Sequence, residues 1–131
     1  MRVLKFGGSS VANAQNIKLV LDIVVNKAKE EKLIVVVSAF SKITDLLQLA
    51  SQKAAAGDES FKEILADLET KHLDALKELI PVSEQSSLLS HIKRIINHLE
   101  TLLDGCYLLG ELSPRTSDTI LSFGELLSSY I

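Results

Sequence analysis

Residues 3–37, VLKFGGSSVANAQNIKLVLDIVVNKAKEEKLIVVV, decide the fold class. Val3-Leu4-Lys5-Phe6 is a short apolar strand stopped by Gly7-Gly8. From about Asn13, the residues Ile17, Val20, Leu21, Val24 and Val25 recur at helical spacing, and the charged run Lys27 to Lys32 closes that segment. Leu33 to Val37 is then apolar without a break. An unbroken run, rather than an alternating one, predicts a strand covered on both faces, as in parallel sheets. Strand, helix and strand of these lengths make a βαβ unit.

Working outward from this unit, everything that follows is helical. Ile43, Leu46, Leu47, Ala50 and Ala54 form one apolar stripe, stopped by Gly57, and Phe61, Ile64, Leu65, Leu68, Ala75, Leu76 and Leu79 form the next, stopped by Pro81. Leu88, Ile92, Ile95, Leu99, Leu102 and Cys106 follow in a heptad-like seam. The two long helices, joined around Pro81-Val82-Ser83, predict an antiparallel hairpin. Ser113-Pro114 has the chemistry of a helix start, a capping hydroxyl followed by proline at the first position. The helix it opens carries Ile120, Leu121, Phe123, Leu126 and Leu127. Two strands are too few to stand as a sheet. The expectation is therefore that residues 1–131 form the front part of a larger domain.

Composition bounds the function. With 131 residues, 47% hydrophobic and 24% charged, the chain has the make-up of one globular domain rather than of a disordered segment. A net charge of -3 and the lack of a basic cluster argue against nucleic acid as a partner. No apolar segment reaches the roughly 20 residues that cross a membrane, and no signal region opens the chain. The single cysteine, Cys106, forms no internal disulfide. These features predict a cytoplasmic protein without membrane contact.

The chemistry is concentrated in the loops. In KFGGSS, residues 5–10, two glycines at a strand's C-terminal end expose backbone N–H groups, and the following helix N-terminus favours an anion. Lys5 adds a positive charge, and Ser9 and Ser10 add hydroxyls. The order differs from the P-loop, whose lysine follows its glycines, and from the G-x-G-x-x-G fingerprint. Spacing alone does not choose between a phosphate cradle and a plain strand-to-helix turn. Apolar neighbours predict that Lys5 either snorkels outward or meets an anion at the strand end, where ligands of open α/β sheets gather. SAFSKIT, residues 38–44, leaves the second strand at the same edge, so Ser38, Ser41 and Thr44 could face the same ligand; equally, Ser41 or Thr44 could only cap the next helix.

In SFGELLSS, Gly124 precedes Glu125 inside a helical pattern. A mid-helix glycine costs roughly 1 kcal/mol against alanine. Close packing on a loop or ligand would explain it, and so would a kink bearing a surface carboxylate. The other polar candidates carry less. His91 and His98 are seven residues apart, not the i, i+4 step of a helical zinc pair, and they and His72 are expected on the bundle surface. No metal ligands are assigned. Cys106, at a seam position, reads as a core residue.

KFGGSSVA, VVVSAFSKITDLL and SFGELLS, in this order, resemble the N-terminal part of aspartate kinases, members of the amino-acid kinase superfamily. The opening MRVLKFGGSSVANA with a long helical stretch before SFGE is most similar to the bifunctional aspartokinase–homoserine dehydrogenase subgroup. The resemblance is strongest at residues 1–50 and 113–131. It implies an α/β fold, the N-terminal part of a three-layer αβα sandwich, mostly helical here. It implies ATP-dependent phosphorylation of the side-chain carboxylate of L-aspartate, with ATP carried as its Mg2+ complex. By matching positions, Lys5, Gly7, Gly8 and Ser9 would hold phosphate, with Lys5 also catalytic, and Ser38, Thr44 and Glu125 would bind substrate. Ser9 departs mildly from the threonine frequent in the family. The remaining nucleotide pocket and the regulatory ACT domains would follow later in the chain. Residues 1–131 alone are thus expected to be inactive, to self-associate through an open sheet edge, and to belong to a homo-oligomer when complete. The alternatives are a superfamily member acting on glutamate, uridylate or carbamate, and a helical interaction module built on the 59–106 hairpin.

Overall fold

The structure, a computed structural model, describes all residues from Met1 to Ile131. Strand β1 (Arg2–Phe6) is followed by helix α1 (Ala14–Ala28) and strand β2 (Leu33–Val37). Helices α2 (Ile43–Ala55), α3 (Phe61–Leu79), α4 (Val82–Leu109) and α5 (Pro114–Tyr130) complete the chain. The fold is α/β and mostly helical, with the predicted βαβ start and helical hairpin. β1 and β2 pair in parallel from Arg2 opposite Leu33 to Phe6 opposite Val37. Both strands therefore end side by side, and the loops that leave them start from one edge.

Local chemistry explains the helix ends. Asn13 caps α1, its side chain accepting from the Asn16 N–H at 2.9 Å. Ser113 caps α5 in the same way, accepting from the Thr116 N–H at 3.1 Å, with Pro114 in the first turn. Beyond the end of α2, Gly57 takes φ +76°, a left-handed conformation that glycine adopts without steric cost.

The core lies among the helices. Ile43, Leu47, Ala54, Phe61, Leu76, Ile92, Leu99, Leu103, Ile120 and Leu127 have no exposed surface. α2 is central, packing on α3, α4 and α5. The buried face of α4 is Ile92, Ile96, Leu99, Leu103 and Cys106, while Ile95 and Leu102 of the expected seam are only partly buried. α4 meets three helices rather than one, so its apolar face is wider than a two-helix seam. The hairpin's apolar surface is used within the chain. Cys106 sits in this core as expected, and burial pushes its thiol pKa up.

β2 is open over much of its surface, as expected of a strand whose sheet is incomplete in residues 1–131: Ile34, Val35 and Val36 are 46%, 40% and 42% exposed. Its only strand partner is β1, and the helices against it, α1 and α5, leave much of it open. His72 is not on the surface; it has no exposed area, because α3 packs on both α2 and α1 and its apolar stripe continues through position 72. His91 and His98 do lie at the surface, stacked on Tyr130 and edge-on to Phe123 respectively.

Candidate functional site

The three segments singled out in the sequence meet at one residue that none of them advertised, Ala39. A Cβ built on Gly8 would stand 3.3 Å from the Ala39 carbonyl oxygen. A Cβ built on Gly124 would stand 2.8 Å from the Ala39 Cβ, closer than two such atoms approach. Gly8 is thus a glycine because the second loop crosses close to it, and Gly124 because α5 lies directly against that loop. The mid-helix glycine has the close-packing cause, and α5 runs unbroken through it. Ala39 itself is 5% exposed.

The first loop has free hydrogen-bond donors. The Ser10 N–H bonds back to the Gly7 carbonyl at 3.0 Å, and the Asn16 side-chain amide donates to the Ser9 carbonyl at 3.0 Å. The N–H groups of Gly7, Gly8 and Ser9 have no acceptor within the chain. Buried Val11 pins the loop to the core. Backbone donors held in a small-residue turn at a strand's C-terminal edge suit an anion.

The second loop carries the larger surprise. The residue that opens α2 is Lys42, at φ 67° and ψ -3°, with no side-chain cap. Neither Ser41 nor Thr44 supplies the capping hydroxyl. The N–H groups of Thr44 and Asp45 are left without acceptors, at the positive end of the helix dipole. A left-handed lysine costs about 1–2 kcal/mol over the right-handed form, so the surrounding packing must hold it. No sequence signal marked Lys42, since left-handed non-glycine residues are mostly Asn or Asp. Ala39 had a faint one, as a small residue at the exit of a strand whose neighbours are bulky.

Of the expected site residues, Lys5 is exposed, the outward course that its apolar neighbours allowed. β1 pairs only with β2 and has no helix packed firmly on it, so nothing forces its side chain inward. Lys5 stands opposite Val36 in the ladder. Ser38 is half-buried, its N–H donating to the Phe6 carbonyl at 3.0 Å. Ser9, Thr44 and Glu125 are exposed. Glu125 lines a groove of about 470 Å³ with Val35, Val36 and Val37. The expected residues therefore lie on the three segments that close on Ala39, and neither Lys5 nor Glu125 is engaged in an ion pair. A second cleft, of about 430 Å³, lies on the other side of the 38–44 loop, lined by Phe40, Ser41 and Lys42 with Lys71, Asp74 and Glu78 of α3 among others; it includes none of Lys5, Ser9, Ser38, Thr44 and Glu125.

No three His, Cys, Asp or Glu side chains are grouped to hold a metal ion. No helix is long and apolar enough to cross a membrane.

Comparison with known proteins agrees with this geometry. The profile of the Amino acid kinase family matches residues 1–131. The chain is 37% identical over 127 residues to bifunctional aspartokinase/homoserine dehydrogenase 2, a chloroplastic protein of Arabidopsis thaliana, covering 97% of this chain and 14% of that one. It is 39% identical over 132 residues to Arabidopsis thaliana aspartokinase 1, also chloroplastic, covering 98% of this chain and 22% of that one. Among solved structures, it superimposes on E. coli aspartokinase III in complex with aspartate and ADP with a TM-score of 0.81 at 30% identity. That match covers 98% of this chain and 27% of the other. The chain thus spans between about a seventh and a quarter of the length of these relatives.

Proposed function

Because this chain belongs to the amino acid kinase family, we propose that it is the N-terminal part of an aspartate kinase catalytic domain. The reaction is ATP-dependent phosphorylation of the side-chain carboxylate of L-aspartate to 4-phospho-L-aspartate, the first step towards lysine, threonine and methionine. A carboxylate oxygen attacks the γ-phosphorus, the bond to the β–γ bridging oxygen breaks, and ADP leaves. Phosphoryl transfer of this kind needs chiefly positioning and charge neutralisation.

The observation that carries this reading is the closure of Gly8 and Gly124 on Ala39, which brings the glycine loop, the β2 exit and α5 to one place. The free N–H groups of Gly7, Gly8 and Ser9 suit the oxygens of the nucleotide phosphates, and exposed Lys5 offsets their charge. Ser38, Thr44 and Glu125 contact aspartate, with Glu125 facing its ammonium group. The unpaired N–H groups at the start of α2 add donors beside Thr44. Mg2+ is read as arriving with ATP, since the acidic side chains here form no ligand cluster. The similarity to a structure holding aspartate and ADP supports both substrates.

Under this reading the other half of the nucleotide site belongs to residues outside 1–131, and this chain alone is inactive. The complete protein is a cytoplasmic homo-oligomer without nucleic-acid partners, although the plant relatives named above are chloroplastic. The test is ADP release with L-aspartate, glutamate, uridylate or carbamate as acceptor. Turnover restricted to aspartate in the complete protein, and none from residues 1–131, is the expected result. Preference for another acceptor, or full turnover by residues 1–131, would overturn it.

A further inference from the structure

The 38–44 loop has a second support on its other side. Next to Ala39, the ring of Phe40 lies flat against the imidazole of His72 in α3, centroids 4.8 Å apart and planes 12° from parallel. Phe40 is 5% exposed and His72 not at all. The His72 Nδ1 lies 2.7 Å from the Leu68 carbonyl oxygen, which can only accept, so Nδ1 carries the proton. Nε2 then holds a lone pair, is buried and has no partner. A buried polar group without a partner is unfavourable in a packed core, and an apolar residue would fit the stripe of α3 without it. What the imidazole supplies that an aliphatic chain cannot is a flat face, held against Phe40 by the enclosing core.

We propose that His72 is a positioning residue for the loop Ser38–Lys42. Its fixed ring holds Phe40, and Phe40 holds the backbone on either side of it. One side is Ala39, on which Gly8 and Gly124 close. The other is the tight turn in which the Ile43 N–H donates to the Phe40 carbonyl at 3.1 Å, with left-handed Lys42 inside it. α3 thereby enters the site's architecture through one stacking contact, although it supplies none of the proposed substrate ligands. The functional importance of this loop rests on the kinase reading above; the mechanical role of His72 does not.

Hydrogen exchange on the 131-residue chain separates the two. The Ile43 and Leu46 amides, bonded to the carbonyls of Phe40 and Lys42, report the loop, and the Leu99 amide in α4 reports global stability. His72→Ala, and the volume-retaining His72→Leu, are expected to speed exchange at Ile43 and Leu46 about tenfold beyond any change at Leu99. His72→Phe, which keeps a flat ring, leaves that ratio near wild type. Leu65→Ala, elsewhere in the buried face of α3, moves all three amides together. In the complete protein, His72→Leu raises KM for the acceptor about fivefold with little change in kcat, and His72→Phe does not. Exchange that rises in step at all three amides in His72→Leu, or a His72→Phe chain that behaves like His72→Leu, overturns the proposal. If the complete wild-type protein forms no ADP with aspartate, the kinase reading falls while the exchange ratio still decides the role of His72.

Discussion

In the α2–α5 bundle, side chains such as Leu47, Leu99 and Ile120 are wholly enclosed, whereas in the β1–α1–β2 unit Val3 is 58%, Leu19 61% and Val25 54% exposed. Both regions are equally apolar to the eye. The difference is that each bundle helix packs on several others within the chain, while each strand has a single strand partner and β2 only light cover from α1 and α5. Stability should therefore reside in the bundle, and the strands' open apolar surface is free to take a partner. The proposed site lies where the two regions meet, one loop from each strand leaning on a helix of the bundle. That placement lets a rigid body orient the loops that leave the two strands.

The sharpest test of this contrast is a pair of truncations. Leu99→Ala should lower unfolding free energy by about 2–5 kcal/mol, the usual range for a buried leucine. Val36→Ala, on a residue 42% exposed, should cost less than about 1 kcal/mol. Denaturant unfolding of both variants decides it, and equal losses would break the comparison.

A smaller effect probes the junction. Gly124→Ala gains about 1 kcal/mol of helix propensity but drives a methyl against Ala39, an overpacking cost of about 1–3 kcal/mol. A net loss is expected. In an Ala39→Gly background the obstruction is gone, so the same Gly124→Ala substitution should become stabilising. A loss of the same size in both backgrounds would show that Gly124 is not held by Ala39.

The third effect is one of pH. Burial, assisted by the nearby Lys71 charge, holds the His72 pKa below its ordinary 6.5. The unfolded chain takes up a proton near 6.5 while the folded chain does not, so this stabilising difference is full above 6.5. It is lost as pH falls from there towards the folded-state pKa. Thermal unfolding midpoints should decline as pH falls below 6.5. His72→Phe should flatten the decline.

The smallest effect concerns the open sheet. Val36→Lys should change stability by no more than about 0.5 kcal/mol, while a charge on the exposed strand lowers self-association, measurable by sedimentation velocity. Unchanged self-association would place the contact elsewhere.

Much of this was legible in the residues. The βαβ unit followed from the strand–helix–strand pattern, the α5 start from Ser113-Pro114, and the shared loop edge from two parallel strands. Other features were not. Ile96 and Leu103 displaced Ile95 and Leu102 from the centre of the core because α4 answers to three helices. Ser41 and Thr44 lost the cap of α2 to Lys42, whose left-handed conformation no local residue pattern marks. His72, expected on the bundle surface, is enclosed.

The sequence by itself determined the elements, their order, the Ser113 cap of α5 and the chemical types in the loops, because periodicity and capping act over a few neighbouring residues. Which glycine needed to be small, which histidine was buried and which residue the three segments meet on were decided only by the tertiary structure. Those facts depend on contacts between residues as far apart as Gly8, Ala39 and Gly124, and no local pattern records such distances.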